Sequence, residues 1–331
     1  MDYFFSVRGR SGDGYSNSLG GAKYLAIPGD VTRAIRSHEI SRTAFFRAVQ
    51  DKAGATDTDK GNIVFFVHGF NTDQWDMLER HRKIRDGLMA HGFKGCVVSF
   101  DWPSDGFVLG YNADRRDARL SADRLFKDGI THVARAQEPD CRFNIHVLAH
   151  SMGCFLVREA FDFADDDHAT AQQSWTVSQI AFVAADITSK SMAEGNPKSS
   201  SLLRRSTRLT NYYSPFDEVL SISETKRIGV SRRLGRVGLP DDHSQKAVNL
   251  YCGHYFDTHR AEFGTSAGIS HRWYFEAPRF YEDLFHTFEG KLDRNVIPTR
   301  AMTDHWNLAL VSDGPAPDPT PRPDPIPDHN R

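Results

Sequence analysis

The chain is poor in cysteine, has no long apolar run and carries almost no net charge, and each shortage removes a class of protein. Its four cysteines, Cys96, Cys141, Cys154 and Cys252, form neither a disulfide framework nor paired C-x-x-C knuckles, so they read as free thiols. No stretch approaches the ~20 apolar residues of a membrane span. The opening Met1-Asp2-Tyr3-Phe4-Phe5-Ser6-Val7-Arg8 lacks the basic region and apolar core of a signal peptide, and a cytoplasmic protein is the expectation. Lys and Arg total 41 against 43 Asp and Glu, a formal net charge of -2, so the overall basic field that nucleic-acid binding needs is missing. Neither G-x-x-x-x-G-K-[ST] nor a strand-linked G-x-G-x-x-G occurs, which disfavours nucleotide hydrolysis. What is present is ample core material: at 331 residues, 39% of them hydrophobic, roughly three quarters of the unfolded surface can be buried, and no metal or disulfide staple is required for folding.

Composition divides the chain. Residues 312–331 hold 7 of the 15 prolines and one apolar side chain larger than alanine, Ile326, so they read as a proline-rich disordered tail after a short C-terminal extension, 291–311. Prolines at every second position leave no P-x-x-P pair. Residues 1–60 carry glycine clusters between Gly9 and Gly21 and one predicted helix near 41–53, with Ala44, Phe45, Val49 and the stem of Lys52 on its apolar face; they read as an N-terminal extension packed on the core. Between 61 and 290 short apolar runs alternate with helical periodicity. The runs 63–67, 96–100, 145–148, 180–184 and 209–213 are apolar on both faces, as buried parallel strands are. Met77, Leu78, Ile84, Leu88 and Met89 predict one helix, ended by Gly92; Ala122, Leu125, Phe126, Gly129 and Val133 predict another; Cys154, Val157, Phe161 and Ala164 a third. The expected class is therefore α/β, a mostly parallel twisted sheet with helices on both faces.

Chemistry in such sheets belongs at the carboxyl ends of the strands. The third run leads through Ala149-His150-Ser151-Met152-Gly153 straight into a helix, which is the strand, tight turn and helix of a nucleophile elbow with Ser151 at its tip. The alternative is a serine that merely caps a buried helix. A hydroxyl nucleophile needs a base and preorganised donors for the oxyanion. The first run ends in His68-Gly69-Phe70-Asn71, so the N–H of Phe70, with that of Met152, can form an oxyanion hole, His68 shaping the loop. Asp217, just after the fifth run, is the first candidate for the acid; Asp186, one strand earlier, is the alternate. The base should come last in the chain, and His271 and His254 both qualify, His271 preceding the final predicted helix. A zinc site from Cys252, His254 and His259 has suitable residue types but no evident fourth ligand.

Five segments, V-F-F-V-H-G-F-N at 64–71, S-F-D-W-P-S-D-G at 99–106, L-A-H-S-M-G at 148–153, Y-Y-S-P-F-D at 212–217 and H-R-W-Y-F at 271–275, taken in order resemble a bacterial group of α/β-hydrolases of largely unassigned function. The resemblance covers about residues 61–290. It implies the α/β-hydrolase fold and a triad of Ser151, Asp217 and His271, with Asp101-Trp102-Pro103-Ser104 as a structural loop beside the pocket. It also implies an esterase- or lipase-like serine hydrolase acting on a small-molecule or lipid-like ester without metal or cofactor. Two departures are an elbow beginning with Ala149 rather than glycine, and a long stretch between Asp217 and His271 that keeps His254 in play. Segments 188–206 and 218–246, the latter carrying Lys226, Arg227, Arg232, Arg233 and Arg236, are candidate caps. A catalytically silent scaffold serving as a binding module is the rival reading.

Overall fold

A computed structural model describes residues 1–56, 59–104, 111–132, 141–225, 231–303 and 308–312. The five apolar runs are strands: β4 (Gly61–Val67), β5 (Cys96–Asp101), β6 (Phe143–His150), β7 (Val177–Val183) and β8 (Ser206–Tyr213), followed by β9 (Ala247–Tyr251). All are parallel neighbours in the order β9-β8-β7-β6-β4-β5. Their side chains divide between two cores, as the period of two requires. Phe65, Val98, Val147 and Phe182 pack with Phe45, Ala122, Leu156 and Leu202 on one face. Phe66, Val97, Leu148 and Val183 pack with Leu78, Ile84, Phe280 and Leu284 on the other. Helices thus cover both faces, and the expected class stands.

The ends of the sheet come from segments that composition set apart. Residues 1–60 do not lie on the outside of a finished core. They supply β1 (Asp2–Ser11), β2 (Gly14–Ile27) and β3 (Glu39–Ile40), and β1 pairs parallel with β5 from Tyr3↔Val98 to Ser6↔Asp101. The glycines that made the region look loose serve the β1–β2 hairpin. Gly12 takes a φ of +57° at its turn, and the register shifts between Ser6 and Arg10 leave a Cβ on Gly20 only 3.0 Å from the Arg8 carbonyl. In the helix Arg42–Lys52, capped by Ser41, Phe45 and Val49 are buried while Ala44 faces outward. Met89 likewise leaves the stripe of its helix, being exposed. At the other end β10 (Arg300–Met302) and β11 (Leu308–Leu310) form a hairpin, and β11 pairs parallel with β9. Residues 313–331, Val133, Lys226 and Arg227 lie outside the described residues.

Segment 188–206 connects β7 to β8. Its helix Pro197–Arg204 packs along the helix Met152–Asp166 with Leu202 and Leu203 in the core. In the second candidate cap, the helix Glu218–Thr225 lies against the helix Ala267–Arg272.

Strand β4 has β5 on one side and β6 on the other, and successive connections leave it in opposite directions. The loops after β4 and β6 therefore part at the switch point of the sheet, where a crevice is expected.

Candidate active site

Ser151 sits where β6 hands over to the helix Met152–Asp166, with φ 54° and ψ -124°. An L-residue so placed costs about 1–3 kcal/mol, so neighbours must impose it. They do so from the end of β7 and from the helix that Ser151 opens. The Ser151 N–H donates to the Val183 carbonyl at 3.0 Å, and its own carbonyl accepts from the N–H groups of Cys154 and Asp186, both at 3.1 Å. Space explains the surrounding residues. A Cβ on Gly153 would stand 2.5 Å from the carbonyl oxygens of both Val67 and His68, and one on Gly69 would stand 2.8 Å from the Ser151 Cβ. The elbow is thus pressed directly on the end of β4. Met152 is the first residue of its helix, so its N–H has no intrahelical acceptor.

Asp217 follows β8 through Ser214-Pro215-Phe216 and is fully buried. Both carboxylate oxygens are assigned. Oδ1 accepts from the Leu220 N–H at 2.9 Å, and Oδ2 accepts from His271 Nδ1 at 2.7 Å. His271 lies in the last turn of Ala267–Arg272 and is 7% exposed. On its other side is His150, the residue before Ser151: the two rings are 4.7 Å apart, and His150 Nε2 lies 3.1 Å from the His271 carbonyl oxygen. The structure thus joins Asp217 to His271 and sets both against the elbow. Ser151, 6% exposed, has no side-chain hydrogen-bond partner among the described residues.

The alternates point elsewhere. The Asp186 backbone touches Ser151, but its Oδ1 accepts from Ser223 Oγ at 3.0 Å and lies 3.1 Å from Arg233 Nε. His254 is half-buried on the helix Gly253–Thr258, with Nε2 3.4 Å from Thr258 Oγ1 of its own helix. Cys252 is buried with Sγ toward the Leu250 carbonyl, and His259 stacks on Tyr255 at 4.2 Å. Among the described residues no group of three His, Cys, Asp or Glu side chains could hold a metal ion.

The loop after β4 carries Phe70, and its shape depends on His68 and the segment 101–104, named from the sequence, and on Arg8 and Thr72, which sequence reasoning missed. His68 is fully buried, its ring stacked on Trp102 at 5.4 Å. Its Nδ1 lies 2.8 Å from the Gly69 carbonyl, and Nε2 accepts from the Trp102 N–H at 3.2 Å. Burial lowers its pKa, against the pull of Asp101, so the neutral ring that these bonds require is favoured. Asn71 adopts φ 51°, and Thr72 is tied to Ser104 Oγ through its N–H at 3.2 Å. Beneath lies Arg8 of β1, 1% exposed: its Nε donates to Asp101 Oδ1 at 2.6 Å, and its Nη2 donates to the Thr72 carbonyl at 2.8 Å. Burial alone would raise the Asp101 carboxyl, but the Arg8 guanidinium beside it outweighs burial and holds it at about 2. The one available signal was an arginine directly after the apolar run Tyr3 to Val7. A buried charge demands a partner, but nothing local names a residue 93 positions away.

Beside His271 a cleft of about 220 Å³ opens between Gln74–Ala90 and Ala267–Arg272. Lys83 bridges Glu79 and Glu276 within it at 3.0 and 2.7 Å. Arg80 lies over the Phe275 ring at 4.9 Å. Ser151 does not line this cleft. No helix of the described residues is long and apolar enough to cross a membrane.

Residues 47–287 match a family whose description is "Alpha/beta hydrolase of unknown function" (DUF900). A 62-residue stretch is 45% identical to an uncharacterized protein of Nostoc sp., covering 19% of this chain and only 15% of that protein. Among solved structures, a cutinase-like protein from Cryptococcus sp. is 12% identical, over 71% of this chain and 96% of its own, with a TM-score of 0.35. Aspergillus fumigatus lipase B is 17% identical, over 72% of this chain and 56% of its own, with a TM-score of 0.33.

Proposed function

The chain belongs to the α/β hydrolases of unknown function that its residues 47–287 match, and on that premise we propose that it is a serine hydrolase cleaving carboxylic esters through an acyl-enzyme. The observation that carries the reading is the 2.7 Å contact of His271 Nδ1 with Asp217 Oδ2, formed against the strained turn at Ser151. A neutral imidazole that gives its Nδ1 proton to a carboxylate keeps its Nε2 lone pair free, which is the tautomer a general base needs.

In this cycle Nε2 of His271 takes the Ser151 proton as Oγ bonds to the ester carbonyl carbon. The oxyanion is held by the N–H groups of Phe70 and Met152. The imidazolium, stabilised by Asp217, then protonates the departing alcohol. Water, activated by the same histidine, cleaves the acyl-enzyme and restores Ser151. No step calls for a metal or cofactor. The recessed serine suits a small-molecule or lipid-like ester.

A fluorophosphonate probe tests the proposal directly. Labelling should map to the peptide containing Ser151, disappear in Ser151→Ala, and accompany hydrolysis of short p-nitrophenyl esters. No labelling, with hydrolysis at background, would make the chain a scaffold that uses the fold for binding.

A further inference from the structure

We infer that His150 is a positioning residue that fixes the base, His271, at a set distance from the nucleophile it precedes. The inference rests on the reading of His271 as the general base.

His150 is 4% exposed, and its two ring nitrogens have different surroundings. Nε2 faces the His271 carbonyl oxygen at 3.1 Å. A carbonyl can only accept, so Nε2 must carry the proton. Nδ1 is then a bare lone pair, without a hydrogen-bond partner among the described residues. It faces Gly69, where an added Cβ would lie 3.0 Å from it. The carbonyl that His150 satisfies is in the last turn of Ala267–Arg272, one of the helix-end acceptors without an intrahelical donor. The ring is locked in turn by the edge-on Phe275 ring at 5.2 Å, which Arg80 covers.

His271 is therefore held at three places: its Nδ1 by Asp217, its ring face by the His150 ring, and its backbone carbonyl by His150 Nε2–H. Two of the three come from the residue bonded to Ser151. A change in the elbow is carried to the base through one side chain, so nucleophile and base move together. Burial, with the neighbouring His271, Arg80 and Arg272, lowers the His150 pKa and favours the neutral ring. An apolar ring of similar size would fill the space without leaving a buried lone pair unpaired, so packing alone does not explain a histidine here.

The test compares His150→Phe, which keeps the ring and removes the donor, with His150→Gln, whose amide N–H₂ reaches the Nε2 position. Both are first checked for a cooperative melt. A base displaced by about 1 Å costs on the order of 100-fold. His150→Phe should therefore lower kcat roughly 10- to 100-fold with KM little changed, and His150→Gln should recover most of the loss. Equal losses in the two variants, or a kcat in His150→Phe within about twofold of wild type, would overturn the inference. A second readout does not depend on turnover: long-range ¹⁵N–¹H spectra of wild type should show His150 as the Nε2–H tautomer from pH 5.5 to 8.5, with His271 resonances displaced in His150→Phe. An Nδ1–H tautomer, a titrating His150 or unmoved His271 resonances would each refute the anchoring. Hydrolysis that survives Ser151→Ala would sink the esterase reading instead, leaving the spectra to decide the role of His150.

Discussion

Replacing Arg8 by methionine isolates the deepest electrostatic contact beneath the site. Arg8 and Asp101 are 1% and 2% exposed, with Nε and Oδ1 2.6 Å apart. Methionine fills much of the aliphatic volume but leaves the carboxylate buried without its cation, and losing one partner of such a pair costs about 3–5 kcal/mol. The pH dependence follows from the Asp101 carboxyl, lowered from 3.8 to about 2. At about 1.4 kcal/mol per unit this corresponds to about 2 kcal/mol of stability. Because the folded-state value is the lower one, that contribution is complete above pH ~4 and is lost as pH falls through about 2. Urea unfolding followed by tryptophan fluorescence should therefore show Arg8→Met well below wild type at pH 7, with the gap narrowing between pH 4 and 2. The double variant Arg8→Met/Asp101→Asn should regain part of the loss, since it removes the orphaned charge. A single variant within about 1 kcal/mol of wild type, or a double variant no more stable than the single, would refute the reasoning. Arg8 Nη2 also holds the Thr72 carbonyl, so the single variant should lower kcat as the loop carrying Phe70 loosens.

Two further outcomes follow from the geometry. His271→Ala should lower kcat on the order of 10³-fold or more, while His254→Ala, whose Nε2 faces Thr258 Oγ1 of its own helix, changes it little; steady-state ester hydrolysis in which the two effects are exchanged would move the base to His254. Gly153→Ala drives a methyl to 2.5 Å from two carbonyls at the end of β4, and the overpacking should cost about 1–3 kcal/mol. A thermal melt within about 2 °C of wild type, less than ~1 kcal/mol for a chain of this size, would contradict the close approach.

Proximity of the right residue types does not make a site, as a second set in the same fold illustrates. His81 Nδ1 lies 2.8 Å from Ser99 Oγ, and its Nε2 lies 3.6 Å from Asp2 Oδ1. All three residues are at most 1% exposed, Asp2 is also paired with Arg82 and Arg85, and the backbone at Ser99 is ordinary strand. With no turn to present the hydroxyl, this cluster ties β1 to the helix Gln74–Ala90. What distinguishes Ser151 is the positive φ at a strand end.

Local composition was sufficient for the five buried strands, the helices between them and the serine at the elbow. A strand apolar on both faces and a helix apolar most of the way round each record their own burial in their own residues, whatever they pack against. Partner choice leaves no such local record. Asp217 and Asp186 both follow strands, and His271 and His254 both lie downstream; only the closing of the chain gave Asp217 to His271 and Asp186 to Ser223 and Arg233. The same limit hid β1, whose short apolar run ends at Arg8 and is followed by glycines, although it stands inside the sheet beside β5. Pairings across 54 and 93 residues depend on which strands become neighbours, and that is decided by the burial of the whole sheet rather than by any segment of it.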